Sequence, residues 1–271
     1  MFIPISTDYR LARRPWVNYA IIAINVIVFI LGYRGDTPRG QVIIHPFLLT
    51  PDAPTIYQFF SSAFLHGGWA HLLGNMVFLW VFGNAVNDRF GHAGYLAFYL
   101  AGCVLAGVGY LLLSGHSPCL GASGAISAVT GAYLVLFPRV RVTLLLMLIY
   151  VAPIEVSSLY FLLFQFVFNL WMSLTPAFGM QSGGVAYVAH SSGYVFGIAL
   201  ALLLLATRVL PREPFDLLSL LQSQRRRSRY RRMVETGYNP FGPVSPDIRQ
   251  PQVDSRWVET RQVETHTPDT L

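Results

Sequence analysis

No lysine occurs in this chain; all 19 of its basic side chains are arginine. Charge of either sign is scarce. Asp, Glu, Lys and Arg make up 12% of the 271 residues, about half the share of an ordinary soluble domain, roughly 25%. That shortage excludes a conventional water-soluble globule. Cysteine is nearly absent too. Cys103 and Cys119 both lie in apolar surroundings, which argues against a disulfide framework and leaves no metal-ligand spacing. No metal and no cofactor are expected. The net charge of +6 makes no case for nucleic acid, because Arg225, Arg226, Arg227, Arg229, Arg231 and Arg232 account for it alone. The N-terminus lacks the layout of a secretory signal: "MFIPISTDYRLARRPW" leads into an apolar run with no small-residue cleavage site behind it.

What fills the chain is apolar sequence. Hydrophobic residues make up 54% and mean hydropathy is +0.48, the balance of a polytopic membrane protein. A membrane helix needs roughly 20 mostly apolar residues. Six such runs are read, at about Trp16–Tyr33, Ala70–Val86, Ala93–Leu113, Gly121–Phe137, Glu155–Leu174 and Val185–Thr207. A further stretch, "VTLLLMLIYVAPI" from Val142 to Ile154, is apolar but short and closed by Pro153. Counting it as a seventh span would put the arginine-rich tail opposite the N-terminus. With six spans, Arg10, Arg13, Arg14, Arg89, Arg139, Arg141, Arg208 and Arg212 all fall on one side, as the positive-inside rule requires. Val142–Ile154 is therefore expected to be an interfacial or partly buried segment on that side.

The expectation is an all-α, six-helix membrane bundle. Residues 1–15 form a short cytoplasmic N-terminus, 16–207 the membrane domain, and 208–271 an arginine-rich, mostly disordered cytoplasmic tail. The arginine bias and the absence of a transit peptide point to a prokaryotic cytoplasmic membrane. The long loop from Arg34 to Trp69 is rich in aromatic and apolar residues, so partial embedding is expected of it. Within the tail, "FDLLSLLQSQRRRSRYRR" reads either as a basic helix on an anionic leaflet or as a solvated charge run.

Polar groups at membrane depth are costly and point to function. His71 and Asn75 begin the second span, Ser123 the fourth, and His190 lies near the outer end of the sixth. All four fall toward one side of the bilayer. Each also has a plain reading. His71 and Asn75, four apart on one helix face, suit an interhelical hydrogen-bonding pair. Ser123 suits a helix cap. His190 suits a packing histidine, and His66 a loop or interface histidine. Together they suit something else. Ala189, Gly193, Gly197 and Ala201 form a small-residue stripe on span six, and Gly124, Ala128 and Ala132 form one on span four. Such stripes let two helices approach closely. If they face each other, Ser123 and His190 share a level, which is what a serine nucleophile and its base require. Span four is short, about 15 residues or roughly 22 Å, so Ser123 would lie below the membrane surface yet within reach of water. No carboxylate lies at that depth, so the arrangement is a dyad rather than a triad.

In combination these motifs resemble those of the rhomboid family of intramembrane serine proteases, over about Trp16 to Thr207. "HGGWAHLLGNM" resembles the H-x-x-x-N motif of the second span, "GASG" the nucleophile motif of the fourth, and "AHSSGYVFG" the A-H-x-x-G-x-x-x-G motif of the sixth. The resemblance implies Ser123 as nucleophile and His190 as general base. It implies His71, Asn75 and the Ser123 backbone N–H as oxyanion donors. Gly121 keeps the approach open, and Gly193 and Gly197 allow close packing. It implies membrane-protein substrates cut in or near a transmembrane helix. Two positions depart from the pattern. Ser127 stands where some members carry a tyrosine that stacks on the histidine, and Asn87–Asp88 stand where a glutamate is often found. Two other readings compete. A catalytically silent relative would bind or escort membrane clients, but such relatives typically lack the serine or the histidine. A channel or transporter would show inverted repeats or broken helices at mid-depth, and neither is read here.

Overall fold

"SGAISAVTGAYLVL" has no polar face, and a helix apolar on every side belongs in the centre of a bundle. In the computed structural model, which describes residues 2–32, 45–113, 117–147, 151–175 and 185–235, this segment is a helix at Ser123–Leu136 (α5), and every residue from Gly124 to Leu136 is buried. The other elements, in chain order, are β1 (Phe2–Thr7), α1 (Trp16–Gly32), a short α2 (Gln58–Ser61), α3 (Trp69–Phe78), α4 (Asn84–Leu113), then after α5 the strands β2 (Arg141–Met147) and β3 (Val151–Ser157), α6 (Ser158–Leu174), α7 (Tyr187–Ala206) and α8 (Leu217–Glu235). The α4 helix is broken at Gly91, whose φ of 72° is not helical. A π-helical turn at Leu79–Gly83 joins α3 to α4.

The chain is mostly helical, but the all-α expectation needs correction. Residues 2–7, expected as a plain lead-in, form β1. The stretch 142–154, expected as an interfacial or partly buried segment, supplies most of β2 and the first part of β3 over its described residues. The three strands make an antiparallel sheet in the order β1-β2-β3, with Ile3 opposite Leu145 and Leu144 opposite Ile154. Pairing satisfies backbone groups that an irregular apolar segment would leave bare. Span five accordingly begins at Ser158, with Glu155 in β3. Two helical stretches, Trp69–Leu113 and Tyr187–Ala206, are long and apolar enough to cross a membrane on their own; Trp16–Gly32, Ser123–Leu136 and Ser158–Leu174 are apolar but shorter.

The core packs around α5, most extensively against α7 and α4. Where α5 meets α7 the backbones nearly touch. A Cβ added to Gly193 would strike the carbonyl oxygen of Gly124, and one added to Gly197 that of Ala128. Gly124 serves a different neighbour from the one its stripe suggested: a Cβ there would lie 2.7 Å from Ala106 Cβ on α4. The long loop after α1 is packed onto the bundle over its described part. Leu49 and Cys119 exchange backbone hydrogen bonds of 3.1 and 2.9 Å, and Gly121 N–H donates to Ser62 O at 2.8 Å. This fastens the segment before α5.

At the other end of α5 the N-terminal segment is held by Asp88, whose carboxylate accepts from Tyr9 Oη (3.1 Å), Ala12 N–H (2.8 Å) and Arg13 N–H (2.9 Å). Asn87 Oδ1 accepts from Asn18 N–H at 3.1 Å. The two residues that depart from the family's glutamate position thus anchor the start of the chain. Arg89 pairs with Glu213 at 3.5 Å and donates to Pro211 O. Contacts divide the chain into a unit Met1–Ser223 and a second, Gln224–Leu271. The α8 helix starts at an Asp216 cap, with Oδ1 accepting from Ser219 N–H at 2.7 Å. Its six arginines from 225 to 232 are exposed. Of the tail expected to be mostly disordered, 208–271, Leu217–Glu235 are helical instead, and the part beyond 235 lies outside the described residues, as do 33–44 and 176–184 of the expected outer loops.

Candidate active site

Ser123 is the first residue of α5, and the N-cap position before it is Ala122, with no side-chain capping bond. The serine hydroxyl is therefore not spent as a cap. Its Oγ lies 2.7 Å from His190 Nε2 on α7. Sixty-seven positions separate the two in sequence; the glycine seam between α5 and α7 brings them to one level. On its other edge His190 Nδ1 lies 2.9 Å from Asn169 Oδ1 on α6. Asn169 was not singled out from the sequence. The signal was an amide inside "FQFVFNLWMS", the kind of polar group that apolar spans seldom carry without reason. Ser127, where a stacked tyrosine was considered, is buried in α5. The ring that does approach His190 is Tyr187, edge-on at 6.1 Å between centroids.

His71 and Asn75 fall one turn apart in α3. Gly121, at φ +118°, turns the chain into α5, and a Cβ there would lie 2.7 Å from two atoms of the His71 imidazole. Both facts restrict this position to glycine: the backbone region favours it, and the histidine occupies the space a side chain would take. Asn75 is 8% exposed, and among the described residues its Nδ2 has no hydrogen-bond partner. An unpartnered buried donor costs roughly 1–3 kcal/mol, so it marks a place where an acceptor is missing. His66 is buried as well, its ring 5.1 Å from that of His71 and edge-on to it. Its two ring nitrogens also have no partner among the described residues. Burial, then the neighbouring His71, lower its pKa to about 4, so it stands as a neutral ring behind His71.

The backbone adds a donor. Ser123 begins its helix, so its N–H has no acceptor within that helix. The Ser123 hydroxyl bonded to an imidazole and the His71 ring lie beside Gly121 at the mouth of α5, with Asn75 one turn after His71 in α3. Among the described residues no group of three or more His, Cys, Asp or Glu side chains gathers to hold a metal.

The rhomboid domain description matches residues 53–207. The chain belongs to the rhomboid family. The matched region runs from the loop ahead of α2 to the end of α7 and takes in Ser123, His190, His71, Asn75 and Asn169. Among rhomboid relatives, the human presenilin-associated rhomboid-like protein, mitochondrial, is 26% identical over 222 residues, covering 70% of this chain and 51% of that protein. The yeast (Saccharomyces cerevisiae) Rhomboid protein 1, mitochondrial, is 28% identical over 188 residues, covering 66% and 51%. Rhomboid protease GluP of Bacillus subtilis is 29% identical over 126 residues, covering 45% and 24%. The chain thus spans about half the length of the first two, and less of the third.

These relatives correct one expectation. The assignment to a prokaryotic cytoplasmic membrane does not stand, because the relatives that align over about two-thirds of the chain are named for mitochondria, and a further relative for the chloroplast. The arginine argument was too weak to carry it. Arginine asymmetry bears on the orientation of a helical bundle, not on which membrane holds it.

Proposed function

We propose that this rhomboid is an intramembrane serine endopeptidase that cuts other membrane proteins in or near their transmembrane helices. The single observation that carries the reading is the 2.7 Å contact between Ser123 Oγ and His190 Nε2, set beside the unpartnered Asn75 Nδ2. In this reading Ser123 Oγ attacks the carbonyl carbon of the scissile bond and its proton passes to His190 Nε2. Negative charge gathers on the carbonyl oxygen, where His71, Asn75 Nδ2 and the Ser123 N–H donate to it. The intermediate collapses as His190 returns the proton to the leaving amine. Water then repeats the sequence against the acyl-enzyme and releases Ser123. No carboxylate takes part. The protease named among the relatives supports the reaction class.

The setting follows from what the helices expose. Ile24, Ile27 and Ile30 on α1, Tyr160, Phe164, Val167 and Trp171 on α6, and Val195 and Leu203 on α7 are all more than 40% exposed. Apolar surface on that scale marks a face meant to be covered, and the covering fits lipid on all sides of a bundle whose polar groups point inward. Six spans fit this arrangement: α1, α3 with its π-turn up to the Gly91 break, the remainder of α4, α5, α6 and α7. A substrate helix must unwind locally before its carbonyls can be attacked, because a complete helix keeps them hydrogen-bonded. Substrates with small or helix-breaking residues near the cut are therefore favoured.

The test is cleavage of a labile model transmembrane substrate in reconstituted liposomes, with Ser123→Ala and His190→Ala beside the wild type. Each variant should lose at least about 10³-fold in rate. A serine-reactive fluorophosphonate should label the wild type at Ser123 and leave Ser123→Ala unlabelled. Cleavage that persists in Ser123→Ala sinks the proposal.

A further inference from the structure

A base needs a bare nitrogen facing its nucleophile, and an imidazole has two nitrogens that exchange that role. Something must choose between them. Asn169 is 8% exposed on α6, and its own bonds settle which way its amide faces. Asn169 Nδ2 donates to the carbonyl of Gln165, one turn earlier, at 2.7 Å. A carbonyl only accepts, so the nitrogen of the amide must be the atom there. The oxygen then faces His190 Nδ1 at 2.9 Å. That oxygen also only accepts, so Nδ1 carries the proton and Nε2 is the bare nitrogen, 2.7 Å from Ser123 Oγ. The opposite tautomer would set two lone pairs against each other at Nδ1 and turn an N–H toward the serine oxygen.

One turn further on, Ser173 Oγ donates to the Asn169 backbone carbonyl at 2.7 Å and lies 2.8 Å from Ser191 Oγ, next to His190 in the chain. α6 and α7 are thereby joined at two neighbouring levels.

We propose that Asn169 is the positioning residue of this site: it orients His190 and selects the Nδ1–H tautomer. The inference rests on the protease reading above. As Nε2 takes the serine proton, the Nδ1–H to Oδ1 bond becomes charge-assisted and strengthens. Asn169 so contributes to the transition state without touching the substrate.

The experiment compares wild type, Asn169→Leu and Asn169→Asp in three readouts: fluorophosphonate labelling rate at Ser123, the kcat and KM of liposome cleavage, and the pH profile of kcat/KM. Asn169→Leu should lower both labelling rate and kcat by about 100-fold with KM little changed. Asn169→Asp keeps an acceptor and should recover most of the rate at the alkaline end. Its acid limb should move to higher pH, because a carboxylate at that distance favours the imidazolium. The other titratable groups around His190 are His71 on α3, Tyr110 on α4, which packs with Val188 and Ala189, Cys119, packed against that same cluster, and Tyr187 on α7 itself. They are the same in all three proteins, so the shift reads the substituted position. Melting temperatures identify a variant that has lost its fold. Asn169→Leu labelling at the wild-type rate, or Asn169→Asp with an unshifted profile, overturns the inference while the protease reading survives. A wild type that never labels at Ser123 overturns both.

Discussion

At the scale of single residues the site is built from groups left unspent. The Ser123 hydroxyl is not used as a cap, and Asn75 Nδ2 has no partner among the described residues. This leads to a prediction in which activity and stability part company. Replacing Asn75 with leucine, of similar branched shape, removes a buried donor that has no partner among the described residues. The melting temperature should hold or rise, while kcat falls about 10²- to 10³-fold as an oxyanion donor is lost. Thermal unfolding and cleavage measured on the same preparation check it; a fall in both together would mean that Asn75 is structural. Ser123, His190, His71 and Asn75 were legible in the sequence because a polar group in an apolar run stands out. Asn169 stands in such a run too. It escaped because no local pattern states which face of α6 meets α7.

At the scale of elements, the helices were legible from long apolar runs bounded by arginine, glycine or proline, and the seam from its small residues. The seam also yields a test. Gly197 faces the Ala128 carbonyl so closely that a Cβ would lie 2.7 Å from its carbon as well. Alanine is the better helix former by about 1 kcal/mol, yet Gly197→Ala should destabilise by about 1–3 kcal/mol, the usual cost of overpacking. It should also cost activity, since spreading α5 from α7 pulls Ser123 from His190. Gly74, in α3, has nothing within 4 Å of a built Cβ, and Gly74→Ala should be neutral or stabilising. Denaturation of both variants in detergent measures the contrast; equal behaviour would mean that the seam is slack. The sheet was not legible. "VTLLLML" lacks the alternation of polar and apolar residues that marks a half-buried strand, and it is held as the central strand by β3 on one side and by β1, far away in the chain, on the other.

At the scale of the whole molecule, the N-terminal segment is fastened through Asp88, and this gives a pH dependence. The Tyr9 hydroxyl donates to that carboxylate. Burial first, then the negative charge of Asp88, push its pKa up from 10.0 to about 12. The unfolded chain releases this proton near pH 10 and the folded one near 12, so between them the folded state holds more protons and stability falls as pH rises. Below pH 10 the contribution is complete. The unfolding free-energy difference between wild type and Tyr9→Phe should therefore be constant below pH 10 and shrink from there toward 12. A difference that stays constant through this window would remove Tyr9 from the fastening. The sheet beside it carries a consequence for biogenesis. Phe2 to Thr7 find their partners at Val142 to Leu146, so during synthesis β1 stays unpaired until the long stretch between the two strands has been made. Four of the six proposed spans are synthesised before that pairing can close. The strand thus acts as a late latch, and a chain arrested after Leu136 would carry Ser123 but leave β1 without its partner strand.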